Sequence, residues 1–357
     1  MLNGFDPDLS LWVALTVAIV VCILFVKSRA NYLAIPRIAR AKPTSGAADC
    51  MVVIPARNEE ASIARAVRTL PHDSVIVVDD HSEDRTAEAA RKAGAGVLPP
   101  PELPRGAVGK CNACVAGARV LNSRWVLFTD ADTWFEPGFL DAVVACAEAS
   151  DLAFLSVYLR PEWQTWGERI MAPFAMALYF CGISPRNDPT AVFNGQCLLV
   201  RREAYEFVGG HSAVLTSLVE DVKLAALAQR HRLKFAVART NDLGHVRVHA
   251  GLRGMQDWIE RSAFRFMLVS PLMGTTVILS ALSMALWLPV LAWLIADREW
   301  WAAGTFGALP VALLWGWYRG PGALLAPFAI YGILPMILNG VVAALTGRQV
   351  QWKGRTV

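Results

Sequence analysis

Four stretches without a single charged residue constrain this chain more than any other feature. They are Leu9–Val26 (18 residues), Val269–Ala296 (28), Trp300–Tyr318 (19) and Ala323–Thr346 (24). A helix needs ~20 predominantly apolar residues to cross the ~30 Å hydrocarbon core of a bilayer. Each run is long enough to span, and a buried soluble helix of such length is the weaker reading. With 55% hydrophobic and 18% charged residues, the chain is neither disordered nor uniformly soluble. The first run is expected to be an anchor and not the core of a cleaved leader. Met1–Asp8 carries Asp6 and Asp8 but no Lys or Arg, the reverse of a signal peptide's positive start, so Leu9–Val26 reads as an anchor.

The flanks give an orientation. Residues 27–42 hold Lys27, Arg29, Arg37, Arg40 and Lys42 and no acid. Positive residues stay on the cytoplasmic side, so the N-terminus is expected outside and the stretch after Lys27 inside. Three further crossings would carry Arg348, Lys353 and Arg355 outside, against the same rule; a re-entrant or interfacial segment at the C-terminal end is one way out. The formal net charge of +4 arises at membrane flanks and not on a basic face, which speaks against a nucleic-acid partner. Seven scattered cysteines, with Cys111 and Cys114 the one close pair, suit unpaired thiols in a reducing cytoplasm.

Residues 43–247 read as an α/β domain between membrane pieces. Apolar runs at Cys50–Pro55, Val75–Val78, Trp125–Thr129 and Leu198–Arg201 alternate with helical patterns at Ala56–Leu70, Lys110–Leu121, Pro137–Glu148 and Leu218–Gln229. Such alternation indicates a mostly parallel sheet, whose ligands bind beyond the carboxyl ends of its strands. Two strands end in acids there. Trp125–Thr129 runs into Asp130-Ala131-Asp132, and residues two apart in an extended segment point the same way. Hard carboxylate oxygens suit Mg²⁺ or Mn²⁺, although a solvated turn has the same composition. Val75–Val78 runs into Asp79-Asp80, which can accept hydrogen bonds from a base or ribose or simply begin a helix. Lys110 opens a helix, where a cation beside free N–H groups suits a diphosphate. Glu220-Asp221 opens another, either as ordinary first-turn acids or as a general base. The loop Phe193-Asn194-Gly195-Gln196-Cys197 is an acceptor-site lining or a turn.

Taken in order, these pieces resemble family 2 glycosyltransferases. The similar stretches are Val53-Ile54-Pro55-Ala56-Arg57-Asn58-Glu59-Glu60, Val77-Val78-Asp79-Asp80-His81-Ser82, Gly109-Lys110, Thr129-Asp130-Ala131-Asp132, Leu199–Tyr205, Gly209-Gly210-His211, Val219-Glu220-Asp221-Val222 and the tail Trp352-Lys353-Gly354-Arg355. The closest flavour is that of hopanoid-, carotenoid- and ceramide-type lipid glycosyltransferases. The resemblance implies a GT-A fold (Rossmann-like, mostly parallel sheet) flanked by transmembrane helices, and inverting, non-processive transfer of one sugar from a nucleotide sugar, a UDP-sugar by preference, to a membrane lipid hydroxyl. By similarity, Pro55, Arg57, Glu59, Asp79, Asp80 and Asp130 contact the donor, Lys110 lies near the diphosphate, Asp130 and Asp132 hold Mg²⁺ or Mn²⁺, and Asp221 is the catalytic base.

The chain departs from the pattern at one place. Many membrane members carry Gln-x-x-Arg-Trp after the base, whereas this chain has Gln256-Asp257-Trp258-Ile259-Glu260-Arg261. That absence argues against a processive synthase and leaves Trp258 and Arg261 as substitutes. Asn194, Gln196, His211 and Glu220 complete the acceptor-side candidates, while His245 and His249 are as readily structural.

The expected organisation is an anchor at 9–26, a catalytic domain at 43–247 with an interfacial segment at 170–183, an amphipathic interfacial helix at 248–267, C-terminal transmembrane helices at 268–346 and a basic tail at 347–357. Transfer to a polyprenyl phosphate, a polysaccharide synthase and an inactive membrane scaffold are the competing functions.

Overall fold

The computed structural model describes residues 7–42, 45–183, 193–217, 219–240, 242–247, 251–269, 271–318, 321–346, 351–352 and 355–356. The chain divides into two units. One comprises Met1–Ala34, Trp163–Ser184 and His249–Val350; the other comprises Ile35–Glu162, Pro185–Val248 and Gln351–Val357.

In chain order the helices are α1 (Pro7–Ala34), α2 (Ser45–Ala48), α3 (Ile63–Arg68), α4 (Thr86–Lys92), α5 (Gly109–Arg119), α6 (Phe139–Ala149), α7 (Trp166–Gly182), α8 (Arg202–Phe207), α9 (Glu220–Arg230), α10 (Gly251–Val269), α11 (Pro271–Ala285), α12 (Trp287–Ala296), α13 (Trp300–Leu314) and α14 (Ala326–Leu345). The strands are β1 (Cys50–Ala56), β2 (Val75–Asp79), β3 (Gly96–Leu98), β4 (Trp125–Thr129), β5 (Thr133–Phe135), β6 (Phe154–Tyr158), β7 (Arg160–Pro161), β8 (Cys197–Arg201), β9 (Phe235–Arg239) and β10 (Gly244–Val246).

The second unit is built on a seven-stranded sheet in the order β3-β2-β1-β4-β8-β6-β9. It is the mixed α/β, mostly parallel architecture expected from the alternating pattern. Successive strand residues face opposite sides. Val52 and Ile54 of β1 therefore join Ile63, Ala66, Ala90 and Phe139 on one face. Val53 between them packs with Ala113, Ala116 and Leu224 on the other. The apolar runs are continuous, not alternating, because helices cover both faces.

One strand breaks the parallel rule in a way that shapes the site. β8 pairs antiparallel to β4, with Thr129 opposite Cys197, and antiparallel to β6. Its beginning, not its end, therefore lies beside the carboxyl end of β4. The loop Asn194–Gln196 is delivered next to Asp130 for that reason.

The first unit gathers the apolar helices. Among the described residues, three spans are long and apolar enough to cross a membrane: Asp8–Ala34, Gly274–Ala296 and Gly322–Val342. The charge-free run at 300–318, expected to span, forms a shorter helix. α13 covers 15 residues, carries Pro310 and gives way to a tighter turn at Trp315–Trp317. Within this unit, α7 lies along α1, with Ser28 Oγ donating to the Ala177 carbonyl at 2.6 Å and Asn31 Nδ2 to the Phe180 carbonyl at 3.0 Å. The 170–183 run thus belongs to a helix grouped with the terminal ones. Its start is fixed by a capping box between Thr165 and Glu168. The fully buried Glu168 also accepts the N–H of Gly251 at 2.7 Å, which ties α7 to the start of α10. α12 and α13 pair through Trp287 and Phe306, whose rings stack at 3.6 Å.

Candidate active site

The site forms where β4 ends, β8 begins and α5 and α9 start. α5 begins at Gly109 after an extended Val108, which places Lys110 in its first turn. Lys110 Nζ lies 2.9 Å from Asp130 Oδ1 and 3.0 Å from Glu220 Oε1 and donates to the Gly195 carbonyl at 3.2 Å. One ammonium thus joins the end of β4 to the start of α9. Burial works against its charge, but Asp130 and Glu220 outweigh burial and hold its pKa well above the usual range.

Asp221 sits beside this pair. The Gly195 N–H donates to its Oδ2 at 2.9 Å, and the Val222 N–H donates to its Oδ1 at 2.8 Å. Burial first, then the neighbouring Glu220 charge, pushes its pKa up to about 7, against the pull of Lys110 and the two N–H donors. A base that titrates near the working pH has the most useful basicity for proton transfer.

A cavity brings Lys110, Asp130, Gly195, His211, Glu220 and Asp221 to one lining. His211 is buried with Tyr205: the Tyr205 hydroxyl accepts the His211 backbone N–H at 3.0 Å and is hydrogen-bonded to its Nδ1 at 2.8 Å. Burial and then Lys110 lower the His211 pKa to about 3, which keeps the ring neutral. It offers the cavity a polar group without charge.

The other candidates cluster at the ends of β1 and β2. Pro55 lies in β1, opposite Val78 of β2. Arg57, buried, donates to the carbonyls of Asp80 at 2.7 Å and His81 at 2.9 Å, so its guanidinium braces the β2 turn. Glu59 accepts from Ser62 Oγ at 2.7 Å, Asp79 accepts from Ser82 Oγ, and Asp80 is buried with its N–H bonded to the Ala56 carbonyl at 2.8 Å. Of these five, Arg57 and Asp80 are joined directly, while Glu59 and Asp79 each hold a nearby serine. Asn194 and Gln196 bond to each other at 3.1 Å, Nδ2 to Oε1, so much of their polarity is spent inside their own loop.

Trp258 lies in α10, in the unit of apolar helices, and the Arg261 side chain and His249 fall outside what is described. His245 stacks on Trp134 at 5.4 Å and meets Glu162 at 3.2 Å, a packing role. Sequence reasoning missed the part played by Gly195, because a backbone N–H leaves no signature in a side-chain motif.

Among the described residues, no cluster of three or more His, Cys, Asp or Glu side chains could hold a metal alone. The chemistry of the donors present still fits a hard divalent cation. Asp130 and Asp132 offer carboxylate oxygen, and such ions commonly take one or two carboxylates plus substrate phosphate. Lys110 leaves an acidic excess, since Asp130, Glu220 and an ionised Asp221 share its single charge.

In open α/β sheets ligands bind beyond the carboxyl ends of the strands, where the acids that follow β2 and β4 lie. Residues 51–209 match the family model described as glycosyl transferase family 2. That stretch runs from β1 through α8 and includes Lys110, Asp130 and Asp132. It is 28% identical over 222 residues to a 4,4'-diaponeurosporenoate glycosyltransferase of Staphylococcus haemolyticus, a match covering 58% of each chain. A protein of the same name from Staphylococcus aureus is 36% identical over 89 residues, 24% of each chain. The chain thus spans little more than half the length of the longer-matched relative. A glucosyl-3-phosphoglycerate synthase of Mycobacterium tuberculosis aligns over 67% of this chain and 88% of that one, at 21% identity and a TM-score of 0.45.

Proposed function

We propose that this protein is an inverting, non-processive glycosyltransferase that moves one sugar from a nucleoside-diphosphate sugar, preferentially a UDP-sugar, to the hydroxyl of a membrane lipid. The convergence of Asp221, Lys110 and Asp130 on one cavity carries the reading. Asp221 takes the proton of the acceptor hydroxyl. The acceptor oxygen forms its bond to the anomeric carbon as the bond from that carbon to the nucleoside diphosphate breaks, so configuration inverts without a covalent enzyme intermediate. Lys110 faces the charge that develops on the diphosphate. Asp130 and Asp132 would hold Mg²⁺ or Mn²⁺, which supplies Lewis acidity to the leaving group when bound. Pro55, Arg57, Glu59, Asp79 and Asp80 shape the nucleotide end.

The lipid acceptor is supported by the apolar helices and by the relative named for 4,4'-diaponeurosporenoate. The basic stretch after α1 supports an outside N-terminus with the catalytic domain in the cytoplasm. Trp317 lies 5.7 Å from the Arg29 guanidinium, so α13 returns the chain to the basic end of α1. The turn at Asp297–Glu299 between α12 and α13 then belongs outside.

Purified protein with Mg²⁺ or Mn²⁺ and a panel of nucleotide sugars should release nucleoside diphosphate on addition of lipid extract. Asp221→Asn should stop transfer while donor binding persists. Lipid-independent silence with every donor, or full transfer by Asp221→Asn, refutes the assignment.

A further inference from the structure

The loop Asn194–Gln196 joins the end of β4 and the starts of α5 and α9 through its backbone. The Gly195 N–H holds Asp221 and its carbonyl holds Lys110. The next carbonyl, of Gln196, accepts from Thr129 Oγ1 at 2.8 Å and from the Asp130 N–H at 3.2 Å. The loop is itself fixed from below and within. Ser156 Oγ of β6 accepts the Asn194 N–H at 2.7 Å, and Asn194 Oδ1 accepts the Gln196 N–H at 3.1 Å. One three-residue turn thus sets the separation between the cation, the end of β4 and the carboxylate at the start of α9.

Gly195 is the point where this arrangement is tight. A Cβ there would lie 3.1 Å from Asp221 Oδ2, 3.3 Å from Asp221 Cβ and 3.3 Å from Glu220 Oε1. Those neighbours are held by hydrogen bonds and an ion pair, so a side chain there would shift them by a few tenths of an ångström. We infer that Gly195 is a positioning residue for the transfer reaction: its N–H aims the Asp221 carboxylate at the acceptor, and its missing side chain keeps that carboxylate in register with Lys110. The inference rests on the reading of Asp221 as the base. Displacement by a few tenths of an ångström matters because proton transfer requires hydrogen-bond reach to the acceptor oxygen.

Gly195→Ala should lower kcat at least 10-fold while the Kd for the nucleoside diphosphate, measured by titration calorimetry with Mg²⁺, stays within about twofold. Ser156→Ala loosens the loop without adding an atom beside the base, and should give the same split, several-fold in kcat. Two results overturn the inference. One is a Gly195→Ala enzyme with kcat within twofold of wild type. The other is a parallel loss of kcat, nucleotide affinity and melting temperature in Gly195→Ala, with Ser156→Ala indistinguishable from wild type. That pattern describes a merely structural glycine. Should Gly195→Ala fail to fold, the Ser156→Ala split decides alone. A wild-type protein that transfers from no nucleotide sugar refutes the glycosyltransferase reading itself, a result separate from either.

Discussion

Replacing Asp221 by Asn tests the electrostatics of the site through stability, independently of any substrate. The Asp221 carboxyl ordinarily ionises near 3.8, and in the folded protein that value is pushed up to about 7. Each pKa unit corresponds to ~1.4 kcal/mol between protonation states. The ionised carboxylate therefore costs the fold up to ~4 kcal/mol, an order-of-magnitude figure. A carboxyl with a raised folded pKa binds its proton more tightly folded than unfolded. Its stabilising contribution is present below pH ~4 and is lost as pH climbs towards 7. Asn carries no charge and escapes this loss. It keeps one acceptor for the Gly195 or Val222 N–H and leaves the other N–H facing its amide, at ~1 kcal/mol.

The variant should therefore be about 1 kcal/mol less stable than wild type at pH 4, match it near pH ~5, and exceed it by ~2–3 kcal/mol at pH 8. Thermal melting of both proteins in the same detergent across this pH range, without nucleotide, measures the crossing. A difference in melting temperature that does not vary with pH refutes the reasoning. It would mean that the ionised Asp221 is not disfavoured in the fold, and the argument for a base poised near neutrality would go with it.

The same titration predicts that kcat rises with pH, reaches half its maximum near pH 7 and is flat above, as read from a pH–rate profile with donor saturating. Lys110→Ala should cost ~3–5 kcal/mol, because it strands the partly buried Asp130 and Glu220 without a cation, and denaturant unfolding would show the loss. Gly210 has φ +49° and a Cβ there would fall 2.3 Å from Tyr205 Cζ, so Gly210→Ala should depress the melting temperature and expose His211 to titration. A cysteine at Arg298, with Cys22 and Cys146 replaced by Ala, should react with an impermeant maleimide added to intact cells; labelling that needs permeabilisation would place Asp297–Glu299 inside.

Much of the site was legible because its side chains fall at recognisable punctuation. An apolar run that stops at Asp130-Ala131-Asp132 or at Asp79-Asp80 marks the end of a buried strand. Acids such as Glu220 and Asp221 mark the start of a helix. These are local signals, and the strand and helix assignments that rest on them agree with the structure to within a few residues. The direction of β8 was not legible. A five-residue run such as Cys197–Arg201 carries no mark of which way it pairs, since that depends on its neighbours in the sheet. With it went the position of Asn194–Gln196 and the bond from Gly195 to Asp221. The bracing by Arg57 was not legible for a related reason: the motif shows a guanidinium, but only the fold shows it donating to the carbonyls of Asp80 and His81. The run at 300–318 was legible as apolar but not as shorter than its charge-free length, because the helix yields to the turn at Trp315–Trp317.

The cost that the fold accepts around Lys110 has its own logic. Asp130, Glu220 and an ionised Asp221 surround one ammonium, and low-dielectric surroundings make such an imbalance expensive. Apolar residues of the same volume would pack more stably at these positions. The imbalance becomes useful only if something positively charged joins the site during the reaction. A nucleoside diphosphate cannot do this alone, since it brings more negative charge to a cluster already in excess. A donor that enters with a divalent cation reverses the balance. The acidic excess that weakens the empty fold then becomes affinity for the cation-bound donor, while Lys110 is left to face the phosphate charge. On this argument Asp130→Asn, which removes part of the excess, should tighten binding of metal-free nucleotide and weaken binding in the presence of Mg²⁺. Calorimetric titrations with and without chelator separate the two. Equal weakening in both would show that Asp130 serves the nucleotide directly and that the charge argument is wrong.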